Sequence, residues 1–279
     1  MRRRLAKLLL TLPLVATMGA GAALAQALPP AIAASKTVRI GNSPTYPPLE
    51  SRDPATNQLI GFDIDLGEAL AKVLGVKAEW QESVFAQLIP GLQTGRVDLV
   101  LSGISDLPAR RENFDFINYL KSGAQFFTLA GNGALTAETL CGKRVGTTRS
   151  TSFPAQITAW SEEHCVKAGK PAIEVVGSDR APLVHTELQQ GRIDAAVQGS
   201  ETLPALMANA PGTYRIVAPP FTVVQQGIMF PKAETGLRDA FAAALKKLFA
   251  DGTYAALIAK WGLQESAAPA PLINGAPIP

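Results

Sequence analysis

Leu92-Gln93-Thr94-Gly95-Arg96-Val97-Asp98-Leu99-Val100-Leu101-Ser102-Gly103 is echoed by Leu188-Gln189-Gln190-Gly191-Arg192-Ile193-Asp194-Ala195-Ala196-Val197-Gln198-Gly199. In each copy the Leu-Gln pair closes a helix and a glycine supplies the left-handed residue that stops it. The short apolar run that follows suits a strand covered on both faces. Each strand ends in glycine, and in open α/β sheets ligands sit outside the carboxyl ends of strands. Two such ends in separate halves of the chain imply two lobes facing one cleft. One copy alone would be an ordinary helix-to-strand connector; two copies in matching context carry the reading.

The elements around the repeat alternate in the same way. Thr37 to Gly41 reads as a strand, and Gly61-Phe62-Asp63 introduces a helix whose apolar positions Ile64, Leu66, Leu70, Val73 and Leu74 keep helical period until Gly75. Val76 to Trp80 is a strand, Val84 to Thr94 a helix with Pro90 near its first turns or at a kink, and Pro108 to Glu112 a short helix. The second half restarts with strands at Lys143 to Thr147 and Ala172 to Val176, and helices at Phe153 to His164 and Ala181 to Gln190. Gly227 to Phe230 is a later strand, followed by helices at Leu237 to Phe249 and Tyr254 to Trp261. Such βα order implies a mostly parallel sheet with helices on both faces. Residues 264–279, rich in Ala and Pro and without periodicity, read as a mobile tail.

Residues 1–25 begin with Arg2, Arg3, Arg4 and Lys7, continue through an apolar stretch and close on Ala23-Leu24-Ala25, the pattern of a secretory leader with an Ala-x-Ala cleavage site. Pro13, Gly19 and Gly21 argue against a membrane anchor. No cysteine follows the cleavage site, so the expected product diffuses freely in the periplasm. Losing those four of the 26 basic residues and no acid turns the formal charge of +3 into −1. With no basic stripe interleaved with aromatics, nucleic acid is a poor partner. Cys141 and Cys165, in an exported chain, are expected to pair as a disulfide; free buried thiols are the alternative. No metal site or cofactor is implied, because there is no Cys-x-x-Cys and neither His164 nor His185 lies at ligand spacing from another donor.

Several motifs in fixed order resemble one family. They are Tyr46-Pro47-Pro48-Leu49-Glu50, Gly61-Phe62-Asp63-Ile64-Asp65-Leu66, Phe85 through Leu88-Ile89-Pro90, Gly103-Ile104-Ser105 with Arg110, Leu140-Cys141-Gly142-Lys143-Arg144-Val145-Gly146, Gly227-Ile228-Met229-Phe230-Pro231-Lys232, and Gly252-Thr253-Tyr254 with Lys260-Trp261. The chain resembles the extracytoplasmic solute-binding proteins of family 3 from about Thr37 to Leu263. The resemblance implies a type II periplasmic-binding-protein fold, two mostly parallel-sheet lobes joined by a two-strand hinge. Lobe 1 would comprise 37–122 plus 227–263 and lobe 2 residues 126–224. It implies no chemistry, only capture of an amino acid or related small carboxylate for the membrane permease of an ABC importer, by a monomer. A dehydratase acting on cyclic carboxylates in the same cleft is the alternative; it needs a general acid, for which Glu201 is the candidate.

By the same resemblance Arg110 grips the ligand carboxylate beside Ser105, with Arg111 as the fallback one residue on. Tyr46 and Phe85 are the ring pair around the ligand, although Phe85, on a helix with apolar neighbours, also suits a core. Ser102 and Gly103 would offer a carbonyl and close backbone approach. Ser150, Thr151 and Ser152 begin a helix whose free amides favour an anion, or simply cap it. The chain departs from the family in two places: Gly199 stands where relatives carry an ammonium-binding aspartate, and Ser43 replaces an acidic position of receptors for cations. Either Glu201 reaches in as the replacement, the favoured expectation, or the ligand lacks a conventional amine.

Overall fold

A computed structural model describes residues 28–278; the leader reading, residues 1–25, lies outside them. Helix α1 (Pro30–Ser35) leads into strand β1 (Thr37–Asn42), then β2 (Ser51–Arg52), β3 (Leu59–Ile60), helix α2 (Phe62–Leu74), β4 (Lys77–Glu82), helix α3 (Leu88–Gln93), β5 (Leu99–Val100) and helix α4 (Pro108–Arg111). Two long strands follow, β6 (Phe114–Ser122) and β7 (Ala124–Leu129), then β8 (Arg144–Thr148), helix α5 (Phe153–His164), β9 (Glu174–Ser178), helix α6 (Ala181–Gln189), β10 (Ala195–Gly199), helix α7 (Leu203–Asn209) and β11 (Tyr214–Ile216). The chain closes with β12 (Val224–Pro231), helices α8 (Thr235–Ala250) and α9 (Thr253–Lys260), and strands β13 (Ala267–Ile273) and β14 (Ala276–Pro277).

Seven strands form one sheet in the order β14-β13-β6-β12-β5-β1-β4, and five form a second in the order β11-β7-β10-β8-β9. The parallel pairs, β1 with β4 and β5, and β8 with β9 and β10, come from the βα units read in the sequence. The remaining pairs are antiparallel, because β6, β7 and β12 run between the sheets rather than through βα crossovers. The turn from β6 to β7 falls at Gly123, where a Cβ would stand 2.2 Å from the Thr222 carbonyl oxygen on the returning strand. Only glycine lets the two crossovers lie this close.

The repeat is structural. Gly95 and Gly191 hold φ of 69° and 67°. Asp98 Oδ2 accepts the Arg39 backbone N–H at 2.7 Å, and Asp194 Oδ2 that of Arg144 at 2.9 Å. Each aspartate also takes the same arginine's guanidinium, at 2.5 and 3.1 Å. Three residues on, the Asn42 side chain donates to the Leu101 carbonyl (2.7 Å) and the Thr147 hydroxyl to that of Val197 (2.9 Å). Each Gly-Arg-x-Asp thus clips its strand to its parallel neighbour, β1 or β8.

Phe62, Leu66, Leu70, Phe230, Phe241 and Leu245 fill the core under the larger sheet; Phe126, Val145, Ile157 and Val197 fill one face of the smaller. Cys141 and Cys165 are disulfide-bonded, pinning the end of α5 to the loop before β8. The helix expected at Val84 to Thr94 is split: a 3₁₀ turn over Phe85–Gln87 precedes α3, which puts Pro90 in a first turn where its missing N–H has no helical partner to lose. Residues 264–278 are built into the larger sheet rather than left as a structureless tail. β13 pairs with β6 and turns back at Asn274-Gly275, with φ of 52° and 79°, into β14.

Candidate functional site

The carboxyl ends of β1, β5, β8 and β9 converge on one cleft. The side of the larger sheet supplies Ser43, Thr45, Tyr46, Glu50, Phe85, Ser102, Gly103, Ser105 and Arg110; the smaller supplies Thr148, Thr151, Ser152, Phe153, Asp179, Arg180 and Ala181.

Arg110 lies half-buried on the one-turn helix α4. Its Nη1 donates to the Ser105 carbonyl at 2.7 Å, its one side-chain bond among the described residues. Burial pulls its pKa down, and the charge of Asp106 pushes it back up. A guanidinium has five N–H donors, so most of its capacity faces the cleft without a protein acceptor. Its neighbour is spent elsewhere: Arg111 holds Asp106 through Nε (2.5 Å) and Nη2 (2.8 Å), and the same carboxylate takes the Asn118 amide at 2.8 Å. The fallback at Arg111 is therefore a structural ion pair.

Beneath the ligand space lies a pair of buried carboxyls. Glu50 Oε1 accepts from the Ser102 hydroxyl at 2.9 Å, which in turn accepts the Ser43 N–H at 3.0 Å. Asp63 Oδ2 accepts the Gly103 N–H (2.8 Å) and the Tyr119 hydroxyl (3.0 Å). The remaining oxygens of the pair, Glu50 Oε2 and Asp63 Oδ1, are buried with no hydrogen-bond partner among the described residues. Burial and the Asp63 charge push Glu50 well above the usual carboxyl range, while Asp63, raised chiefly by burial, rises to about 6. The Gly103 amide is committed to Asp63, leaving its carbonyl for a ligand.

Tyr46 spans the cleft, its hydroxyl accepting the Gly199 N–H at 2.8 Å. Burial and the charge of Glu201 push that phenol well above its ordinary value. Phe85 is partly exposed to the cleft and packs on the buried cluster of Leu88, Leu92 and Phe116, so its ring serves cleft and core together. The Thr151 hydroxyl donates to the Thr148 carbonyl (2.7 Å) and accepts the Phe153 N–H (3.2 Å); Ser152 makes no side-chain cap.

Three expected residues stand apart from the lining. Ser150 is exposed and outside it. Gly199 gives its N–H to Tyr46. Glu201 does not reach into the cleft: it is buried behind Gly199, taking the Ser122 hydroxyl and the Gln226 amide (2.7 Å), both on the crossover strands. Burial pushes its pKa up, opposed by those hydrogen bonds. A Cβ at residue 199 would stand 2.2 Å from Glu201 Oε1, so the carboxylate fills the space a side chain there would need. Sequence reasoning missed Thr148, Phe153, Asp179, Arg180 and Ala181 as lining. Ending the strand at Val176 placed its carboxyl end two residues short of Ser178, hiding the Asp179-Arg180 rim.

The family model for bacterial extracellular solute-binding proteins, family 3, matches residues 38–264. The arginine-binding protein ArgT of Corynebacterium glutamicum is 31% identical over 252 residues, 90% of this chain and 82% of that protein. The histidine-binding periplasmic protein of Escherichia coli is 30% identical over 264 residues, 91% of this chain and 96% of the relative. Among solved structures, an ancestral arginine-binding protein bound to arginine matches with a TM-score of 0.73 at 30% identity, covering 81% of this chain and 98% of that one.

Proposed function

This chain belongs to the bacterial extracellular solute-binding proteins, family 3, and within that family we propose that it is a periplasmic receptor for an amino acid or related small carboxylate, serving an ABC importer. The observation that carries the reading is Arg110, a half-buried guanidinium in a cleft between two sheets with most of its donors unmatched. A carboxylate supplies the missing acceptors in a bidentate geometry that few other groups match. The aromatic ring of Tyr46 and the partly exposed Phe85 give the rest of a small solute apolar contact. The relatives named for arginine and histidine support the ligand class.

Binding shared by both walls favours the closed arrangement over the open one, the differential affinity a hinged receptor uses. The dehydratase alternative assigned its acid to Glu201; that carboxyl lies behind Gly199 in the grip of Ser122 and Gln226, so it lends the alternative no support.

The test is a thermal-unfolding screen of ligand-stripped protein with the common amino acids and small organic acids. A ligand that binds the native state alone raises the midpoint progressively with concentration. At least one carboxylate is expected to do so; a panel in which none does contradicts the reading.

A further inference from the structure

The cleft does not end at the ligand space around Arg110. It continues outward past Phe85 to a mouth whose lips are Pro44 and Val84 on one side and Leu183 on the other. Val84 and Leu183 are exposed large apolar residues, 59% and 38% accessible, at the rim of a polar opening. Arg180 lines both the inner section and the mouth. Its side chain is exposed and has no hydrogen-bond or ion-pair partner among the described residues.

Of the acids along this path, Asp179 pairs with Arg149 Nε at 3.1 Å and Glu82 is held by Arg52 through Nε at 3.0 Å. Glu201 is turned to Ser122 and Gln226. The path holds two under-used guanidiniums, Arg110 within and Arg180 at the opening. An anion at each end meets a planar donor fork.

We propose that the cleft takes an elongated dicarboxylate, one carboxylate on Arg110 and the other on Arg180, with the linking carbons between Val84 and Leu183. The proposal rests on the receptor reading above and narrows its ligand.

The test is calorimetric titration of the ligand-stripped full chain with succinate, glutarate, adipate, glutamate and N-acetylglutamate, with hexanoate and arginine for comparison. At least one diacid is expected to bind more tightly than hexanoate. Arg180→Gln is expected to weaken the best diacid about tenfold or more while leaving hexanoate unchanged. Because Arg180 is exposed, an unaltered thermal midpoint shows that the variant folds. Diacids that bind no better than hexanoate, or an Arg180→Gln variant that binds them unchanged, overturn the proposal. If arginine or another amino acid binds in an Arg110-dependent way and no diacid does, the proposal fails and the receptor reading stands. If no member of this panel or of the amino-acid screen binds, both fail.

Discussion

At the scale of single residues, the site is shaped by a substitution and its counterweight. Gly199 leaves the second strand end bare, and Glu201, two residues on, fills the vacated volume and ties it to both crossovers. Gly199→Ala puts a methyl within 2.2 Å of Glu201 Oε1 and forces that buried carboxylate off Ser122 and Gln226. Overpacking and a broken buried polar contact together cost about 2–4 kcal/mol, to be read from denaturant unfolding. A variant as stable as the parent would show that the Glu201 network is not stabilising.

The absence of an aspartate at 199 was plain in the sequence. Where Glu201 would point was not, because one residue type serves a cleft or a hinge equally well and only the Ser122 and Gln226 partners decide. The buried carboxyl pair was hidden for a like reason: Glu50 and Asp63 sit in separate motifs. Their raised pKa values give stability a definite sign. In the native state Glu50, Glu201 and Asp63, the last at about 6, keep protons that the unfolded chain releases near ordinary carboxyl values. That stabilisation is complete below those ordinary values and is lost as pH rises through the raised ones. Asp194, lowered chiefly by its hydrogen bond with Arg144, acts in the opposite sense and only on the acid side. Denaturant midpoints should therefore fall between pH ~5 and ~8, and Glu50→Gln, which has no proton to lose, should flatten the fall. Identical slopes for parent and variant would contradict the raised pKa of Glu50.

At the scale of elements, the Gly-Arg-x-Asp repeat was legible because its cause is local: a helix stop, a strand and an aspartate that clips Arg39 or Arg144 on the neighbouring strand. The C-terminal hairpin was missed although its signal was present. Asn-Gly flanked by Ile273 and Ala276 is a strong turn cue, here outweighed by an Ala- and Pro-rich composition that lacks strand periodicity. One side chain ties the turn of the hairpin to the sheet. Asn274 accepts the Phe116 N–H (2.8 Å), donates to Asp115 (2.9 Å) and holds a left-handed φ of 52°. Asn274→Ala loses both bonds and strains the turn, so it should cost about 2–3 kcal/mol and speed hydrogen exchange along β6. Unchanged protection at β6 would mean that the hairpin lies on the sheet without stabilising it.

At the scale of the whole molecule, the sequence carried the two-lobed design further than the sheet composition. The βα units gave the parallel pairs, but β6, β7 and β12 join the sheets antiparallel, since the chain must pass out and back through adjacent crossovers at Gly123 and Thr222. Those crossovers carry Ser122 and Gln226, which both bond to Glu201, so hydrogen bonds connect the crossovers to the second strand end. Opposite them stands Arg110, the charge on which the account depends.

Calorimetric titration of wild-type and Arg110→Gln protein with the best carboxylate from the thermal screen tests that dependence most directly. The account predicts saturable binding by the wild type and a loss of at least about 100-fold in the variant, the scale expected when a desolvated bidentate contact is removed. Equal affinity of the two proteins would contradict it.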